Sequence, residues 1–410
     1  MSHTIHNFPN GLRLIHQQHT SGVAHFGILI NAGTRDETAD IMGMAHFIEH
    51  MLFKGTKKRR SLQIINRLEE VGGELNAYTT KDKTCVYASF TAEYIDRAVD
   101  LLTDVVFNSV FPEKEMEKEK KVILEEIDMY ADNPEESIHD EFQELLFSGH
   151  PLGYNILGTP QTVSSFTQKE INTFISDNYL PGNIVFSYVG PTPLDKVVRL
   201  CEKYTSAIKA NPGINARKKF TTVSKFSTIK KAEHAQCYCT LGSLAYHNTH
   251  PLRYPMGVLN NLLGGPGLNS RLNLAVREKY GYAYQIDSSY SAYEDTGYFS
   301  IYFGTDSKYL NKTLKVVEKE LKRLREEELT EKVLYKYKKQ MAGQLVLGEE
   351  NKSALMLVLG KNLLDYNKCE TLDEVIQKIM VVTPEQVSKA ANEVFAEDRM
   401  CRLVYENAGE

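Results

Sequence analysis

Three side chains that exchange protons fall within five residues, His46-Phe47-Ile48-Glu49-His50, inside the otherwise apolar run that extends from Ile41 to Phe53. No proline interrupts this run and its single glycine stands near the start, so it predicts a helix. On a helix His46 and His50 are one turn apart, about 6 Å along the axis, and project from the same face. Two imidazoles so placed can grip one metal ion, and Glu49, three residues after His46, can reach a water on that ion without being a ligand. This is the chemistry of metal-assisted hydrolysis: the cation brings the pKa of the water toward about 7 and the carboxylate removes its proton. The competing reading is a pair of histidines hydrogen-bonded inside a core. With 12 histidines in 410 residues the five-residue pattern is rare by chance, and a third ligand decides between the two readings.

A catalytic zinc site commonly takes three protein ligands and leaves one position for water. The third should be a carboxylate where burial is expected. In MEKEKKVILEEIDMY, residues 116–130, a wheel of about 100° per residue puts Met116, Ile123, Ile127 and Tyr130 on one apolar face. Glu126 and Glu119 border that face, whereas Glu125 points away. A carboxylate drawn into a buried face needs a cation or hydrogen-bond donors, so Glu126 is the expected third ligand. Glu119, seven residues earlier on the same line, either orients a ligand or the water from behind or is a solvated residue on a lysine-rich face.

These elements sit in a chain of ordinary globular composition, 42% hydrophobic and 25% charged, long enough for two domains. A net charge of -5 and the lack of a basic stripe give no support to a nucleic-acid partner. The opening MSHTIHNFPNGLRLIHQQ has no charged segment leading into an apolar one, and nowhere do eighteen apolar residues run together, so a cytoplasmic protein without membrane contact is expected. Six scattered cysteines do not form a disulfide framework. Cys237 and Cys239, in the alternating HAQCYCTLGSL, are expected to fill one side of a strand.

The chain is written twice. Residues 68–90 resemble 277–303, residues 111–123 resemble 329–341 at an offset of 218, and residues 166–189 resemble 382–405 at an offset of 216. Strand-like runs such as TCVYASF and YFSIYF alternate with helical periodicity in EKEMEKEKKVILEEIDMY and KTLKVVEKELKRLREEE. The expected fold is α+β, two homologous domains, each a mainly antiparallel sheet packed against helices. Residues 1–210 form the expected metal-binding domain, 211–236 a linker and 237–410 the second repeat.

HFIEHMLFKGT, GGELNAYTTKDKTCVYA, EKEKKVILEEI and GGPGLNSRLNLAVREKYGYAY together resemble the pitrilysin-type metallopeptidases, the zinc peptidases with an inverted H-x-x-E-H motif. The likeness extends over nearly the whole chain. It implies a zinc-dependent endopeptidase with one Zn2+ per chain, held by His46, His50 and Glu126, and Glu49 as general base. The family's distal glutamate stands 76 positions beyond the second histidine in some members, which falls on Glu126, and 77 in others, which falls on Ile127. Glu119 matches the family's additional glutamate. Arg277 and Tyr284 match a pair that reaches the scissile bond, here expected in trans, and Asn76 and Ala77 match the edge strand that binds substrate peptide. His139 and Asp140 follow the pattern as structural support. The chain length is similar to the short members, each half of a clamshell, so a homodimer is expected, with a heterodimer as the alternative. A scaffold or regulatory subunit of the same fold, without turnover, is the rival function, and the complete set of motif residues argues against it.

Overall fold

Alternating apolar residues build two sheets, and both need cover on two faces. A computed structural model describes residues 3–213, 217–232 and 236–407. The first sheet holds β1 (Thr4–Asn7), β2 (Arg13–Gln18), β3 (Val23–Ile30), β4 (Glu74–Thr79), β5 (Thr84–Thr91) and β6 (Ile184–Gly190) in the order β1-β2-β6-β3-β5-β4. The second holds β7 (Ser227–Ala232), β8 (Cys237–Ala245), β9 (Ala283–Ala292), β10 (Gly297–Thr305) and β11 (Cys401–Asn407) in the order β7-β11-β8-β10-β9. Each sheet is antiparallel except for one pair, β2 with β6 and β7 with β11. Strands β2, β6, β3, β5 and β4 therefore have the same order and directions as β7, β11, β8, β10 and β9. The duplication seen in the sequence is a duplication of topology, and the α+β expectation with largely antiparallel sheets holds.

The helices that matter for the first sheet are α1 (Met44–Met51), α2 (Ser61–Glu69), α3 (Ile95–Asn108) and α4 (Glu113–Ala131). Phe26, Ile28, Ile30, Phe186 and Tyr188 point from the sheet into a core shared with Phe47, Ile48, Val99, Leu102 and Ile123 of these helices. β6 is buried along its whole length, which a strand achieves only when both faces are covered. Its second face, with Val185 and Val189, packs against Leu355, Met356, Leu359 and Leu363 of the helix Lys352–Tyr366. Ser187 Oγ donates to Met356 O at 2.6 Å, and Lys83 Nζ pairs with Asp365 Oδ1 at 2.6 Å. The second sheet is covered in the same way by α5 (Pro134–Leu146), whose Ile138 and Phe142 meet Tyr238, Tyr302 and Leu403. His139, also on α5, lies over Tyr302 with ring centroids 4.6 Å apart. Cys237 and Cys239 are free thiols, buried on one side of β8 among the second sheet's own helices.

Each compact unit is thus assembled from three segments. Unit 1 takes residues 1–128, 154–218 and 347–371, and unit 2 takes 129–153, 219–346 and 372–410. The division differs from the contiguous halves 1–210 and 237–410 because each sheet's second face is covered by a helix from the other half of the chain. The segment 211–236 also contains β7, an edge strand. Positions 214–216 and 233–235 of that expected linker lie outside the described residues. Among the described residues no helix is long and apolar enough to cross a membrane.

The covering helix of unit 1 seats closely. A Cβ on Gly360 would stand 2.4 Å from Leu29 Cδ1 and 3.1 Å from Ser187 Cβ, whereas one on Gly343, also helical, would meet nothing within 4 Å. Gly360→Ala is therefore expected to cost about 1–3 kcal/mol through overpacking, and Gly343→Ala to be neutral or to stabilise through helix propensity by up to about 1 kcal/mol. Denaturant unfolding of the two variants against wild type checks the pair.

Candidate metal centre

The site begins at the start of α1. Gly43 caps the helix at φ 90°, a left-handed conformation that glycine adopts without strain. A Cβ there would stand 2.7 Å from Gly158 Cα and from Leu157 O. Two of the four orphan N–H groups at the start of the helix are taken by a carboxylate: Gly43 N donates to Glu37 Oε2 and Ala45 N to Glu37 Oε1, both at 2.8 Å. Burial raises the Glu37 carboxyl well above the usual range, and the two backbone donors offset only part of that. Met44, Ala45, Phe47, Ile48 and Met51 anchor α1 in the core. The side of the helix left over carries His46, Glu49 and His50.

α4 supplies the carboxylates. Its buried residues are Met116, Glu119 and Ile123, and Glu126 falls on the same side, half-buried, while Glu125 is exposed. His46 Nε2 lies 3.9 Å and His50 Nε2 3.7 Å from Glu126 Oε2. The ligand atoms of these three residues all lie within 4.8 Å of one another, the one such group of His, Cys, Asp or Glu among the described residues. The separations exceed a hydrogen bond. They approach the roughly 3.4 Å between ligand atoms that tetrahedral coordination at about 2.0–2.1 Å requires. His46 Nδ1 is buried without a hydrogen-bond partner, and its Nε2 stands beyond hydrogen-bond reach of Glu126. A two-histidine, one-carboxylate set with a solvent-accessible side fits a catalytic zinc ion.

Around this group the polar contacts are specific. His50 Nδ1 is 2.9 Å from Glu119 Oε1, and Lys54 Nζ is 2.6 Å from Glu119 Oε2. Burial pushes the Glu119 carboxyl up, but the bonds to His50 and Lys54 outweigh it and the net shift is downward. Glu49 is held differently: Thr79 Oγ1, at the end of β4, donates to its Oε2 at 2.6 Å. Burial raises the Glu49 carboxyl, with the Thr79 bond opposing. Burial, with a smaller push from His50, takes the His46 imidazole down to about 3, so in the metal-free protein it is a neutral ring with a lone pair to offer.

Of the residues singled out from sequence, unit 1 brings together His46, Glu49, His50, Glu119 and Glu126. Asn76 and Ala77 lie on β4, opposite Tyr87 and Val86 of β5, and β4 is the outermost strand of its sheet. Arg277 and Tyr284 lie in unit 2, where they meet each other: the guanidinium carbon is 5.4 Å from the phenol centroid. Tyr284 is 85% exposed. The pair lines a cavity of about 250 Å³ with Gly265, Gly267 and Leu268. Lys54, Thr79 and Glu37 were not expected. Lys54 had a signal, since 46, 50 and 54 share one helical stripe. Glu37 and Thr79 had none, because both reach the site from turns and strands whose placement is tertiary.

A two-unit α+β fold with an inverted His-x-x-Glu-His cluster completed by a distal glutamate defines a class of metallopeptidase-like proteins. Residues 13–160 match the family Insulinase (Peptidase family M16) and residues 165–341 match the Peptidase M16 inactive domain, and the chain belongs to this family. Relatives include an uncharacterized zinc protease of Bacillus subtilis, 36% identical over 96% of both chains. Another, from Streptomyces coelicolor, is 36% identical over 94% of this chain and 86% of its own. Two solved structures share the fold: a protease from Helicobacter pylori, with a TM-score of 0.90, 22% identity and 99% of each chain covered, and a peptidase M16 inactive domain from Pseudomonas fluorescens, with a TM-score of 0.91, 20% identity, 100% of this chain and 99% of that one covered.

The depressed His46 value has a consequence for metal-free stability. The unfolded imidazole takes a proton near pH 6.5 and the folded one only near 3, so the stability this ring contributes is present above 6.5 and is lost as the pH falls. Relative to His46→Gln, metal-free wild type is expected to lose stability from pH 6.5 to 5 with a limiting slope of about 1.4 kcal/mol per pH unit. Chelator-treated protein melted across that range tests this; parallel pH profiles would refute it.

Proposed function

We propose that the chain is a zinc-dependent endopeptidase acting on short or unfolded peptides inside a chamber closed by two copies of the chain. The observation that carries this reading is the convergence of His46, His50 and Glu126 within 4.8 Å, with the Glu49 carboxylate beside them and tied to Thr79. His46, His50 and Glu126 would hold one Zn2+ per chain. When bound, the ion supplies Lewis acidity, acidifying water and polarising a peptide carbonyl. The names of the relatives as zinc proteases support the choice of metal.

The protein's own groups do the rest. Thr79 holds Glu49 Oε2, leaving the other carboxylate oxygen for the attacking water. Glu49 takes the proton from that water and passes it to the departing amine. Burial, which raises its pKa, brings the carboxylate closer to the basicity both transfers need. The free edge of β4 at Asn76 and Ala77 takes the substrate as an added strand, whose main-chain hydrogen bonds tolerate many side chains. Arg277 and Tyr284 of the second copy donate hydrogen bonds to the oxyanion as it forms. Enclosure then selects by size and flexibility more than by sequence. The homodimer is the assembly this requires, and the cytoplasm is its proposed setting.

Glu49→Gln keeps the shape of the side chain and removes the base. Cleavage of an internally quenched peptide is expected to fall about 10²–10⁴-fold, with zinc content unchanged by elemental analysis. Cleavage that persists in this variant, or in wild type after chelation, would overturn the zinc and Glu49 mechanism, and zinc-loaded wild type that cleaves no peptide would overturn the peptidase assignment.

A further inference from the structure

The stripe that carries both histidines does not end at His50. Lys54 stands four residues on, beyond the C-terminus of α1, and its ammonium lies 2.6 Å from one oxygen of Glu119. The other oxygen of the same carboxylate lies 2.9 Å from His50 Nδ1. Glu119 is 6% exposed, and a carboxylate taken out of water must replace its lost hydration with donors. Here one donor comes from each oxygen's neighbour, the imidazole on one side and the ammonium on the other.

The geometry fixes what each contact does. A carboxylate facing Nδ1 is an acceptor only, so the imidazole proton sits on Nδ1. The lone pair is then on Nε2, the atom 3.7 Å from Glu126 Oε2 and facing the candidate ion. Glu119 on its own has a rotatable side chain. With Lys54 on its second oxygen the carboxylate is held at both ends and its plane is set, and the orientation of His50 is set with it.

We propose that Lys54 is a positioning residue of the metal centre, holding Glu119 so that His50 presents Nε2 to zinc. Zinc affinity then depends on an ammonium that touches neither the ion nor the substrate. This inference stands on the assignment of His46, His50 and Glu126 as the ligands. It differs from a purely structural role for Lys54, such as anchoring the turn after α1, because that role would change the stability of the metal-free protein and leave zinc affinity alone.

The test uses the full chain and zinc itself. Dissociation constants are measured by competition with a chromophoric chelator for wild type, Lys54→Met, Lys54→Arg and His46→Ala, beside thermal midpoints of the metal-free proteins. Lys54→Met is expected to weaken zinc binding about 10–100-fold, the range found when an outer partner of a ligand is removed. Lys54→Arg, which restores a cationic donor, is expected to recover most of the loss. Lys54→Gln is measured in parallel so that a folded, uncharged variant exists if Lys54→Met does not fold. Zinc binding undiminished in Lys54→Met or Lys54→Gln overturns the proposal, whatever happens to the midpoints. Equal zinc binding by wild type and His46→Ala would instead overturn the ligand assignment itself, so the two failures are distinguishable.

Discussion

Polar side chains on an otherwise buried helix are the constraint around which unit 1 is organised. α1 has five apolar residues in the core, and this fixes the side from which His46, Glu49 and His50 project, His46 buried and the other two half-buried. Each must find its partner in the wall opposite. α4 meets that need with two carboxylates a heptad apart, and the end of β4 meets it with a hydroxyl. The arrangement is costly in isolation, since two imidazoles with rings 4.5 Å apart and a nearby raised carboxylate do little to stabilise a fold. A cation among them, as proposed above, would turn the same groups from a liability into a favourable cluster.

Precision at the site depends on supports some distance away. Glu37 fixes the first turn of α1 through two backbone donors, and Gly43 lets the helix begin against Gly158 with almost no clearance. Burial makes a carboxylate at Glu37 costly, yet it binds two of the free N–H groups at once, so the helix cannot rotate about its axis without losing both bonds. The histidines inherit that rigidity. At the other end, the strand that carries Thr79 also carries the free edge where a peptide can add, so the holding of Glu49 and the proposed docking of substrate share one backbone.

Much of this was legible in the sequence. The spacing of His46 and His50 on a proline-free apolar run defined α1 to within a few residues, and the wheel of residues 116–130 placed Glu119 and Glu126 inward and Glu125 outward, as the structure has them. The three repeated blocks fall on matching pieces: β4 and β5 with β9 and β10, the start of α4 with the start of the helix Glu331–Gly348, and a capped helix leading into β6 with its counterpart leading into β11. Both of those helices carry a Thr capping box, Thr167 in one and Thr383 in the other. What the sequence did not reveal is non-local. The helix Lys352–Tyr366 is apolar on several sides, and nothing in its periodicity says that its cover is owed to a sheet more than 150 residues earlier. The strand β7 was hidden for a related reason: an edge strand that is solvated on one side needs little apolar content.

The exchange of covering helices also sets the order of events during synthesis. β6 leaves the ribosome with Val185 and Val189 on a face that stays bare until Leu363 has followed. At about 5–20 residues per second that interval lasts roughly nine to thirty-five seconds. A sheet formed in that time would leave one apolar side uncovered, which is a hazard for aggregation. A first unit with both faces of its sheet covered therefore requires the chain to be made through Leu363.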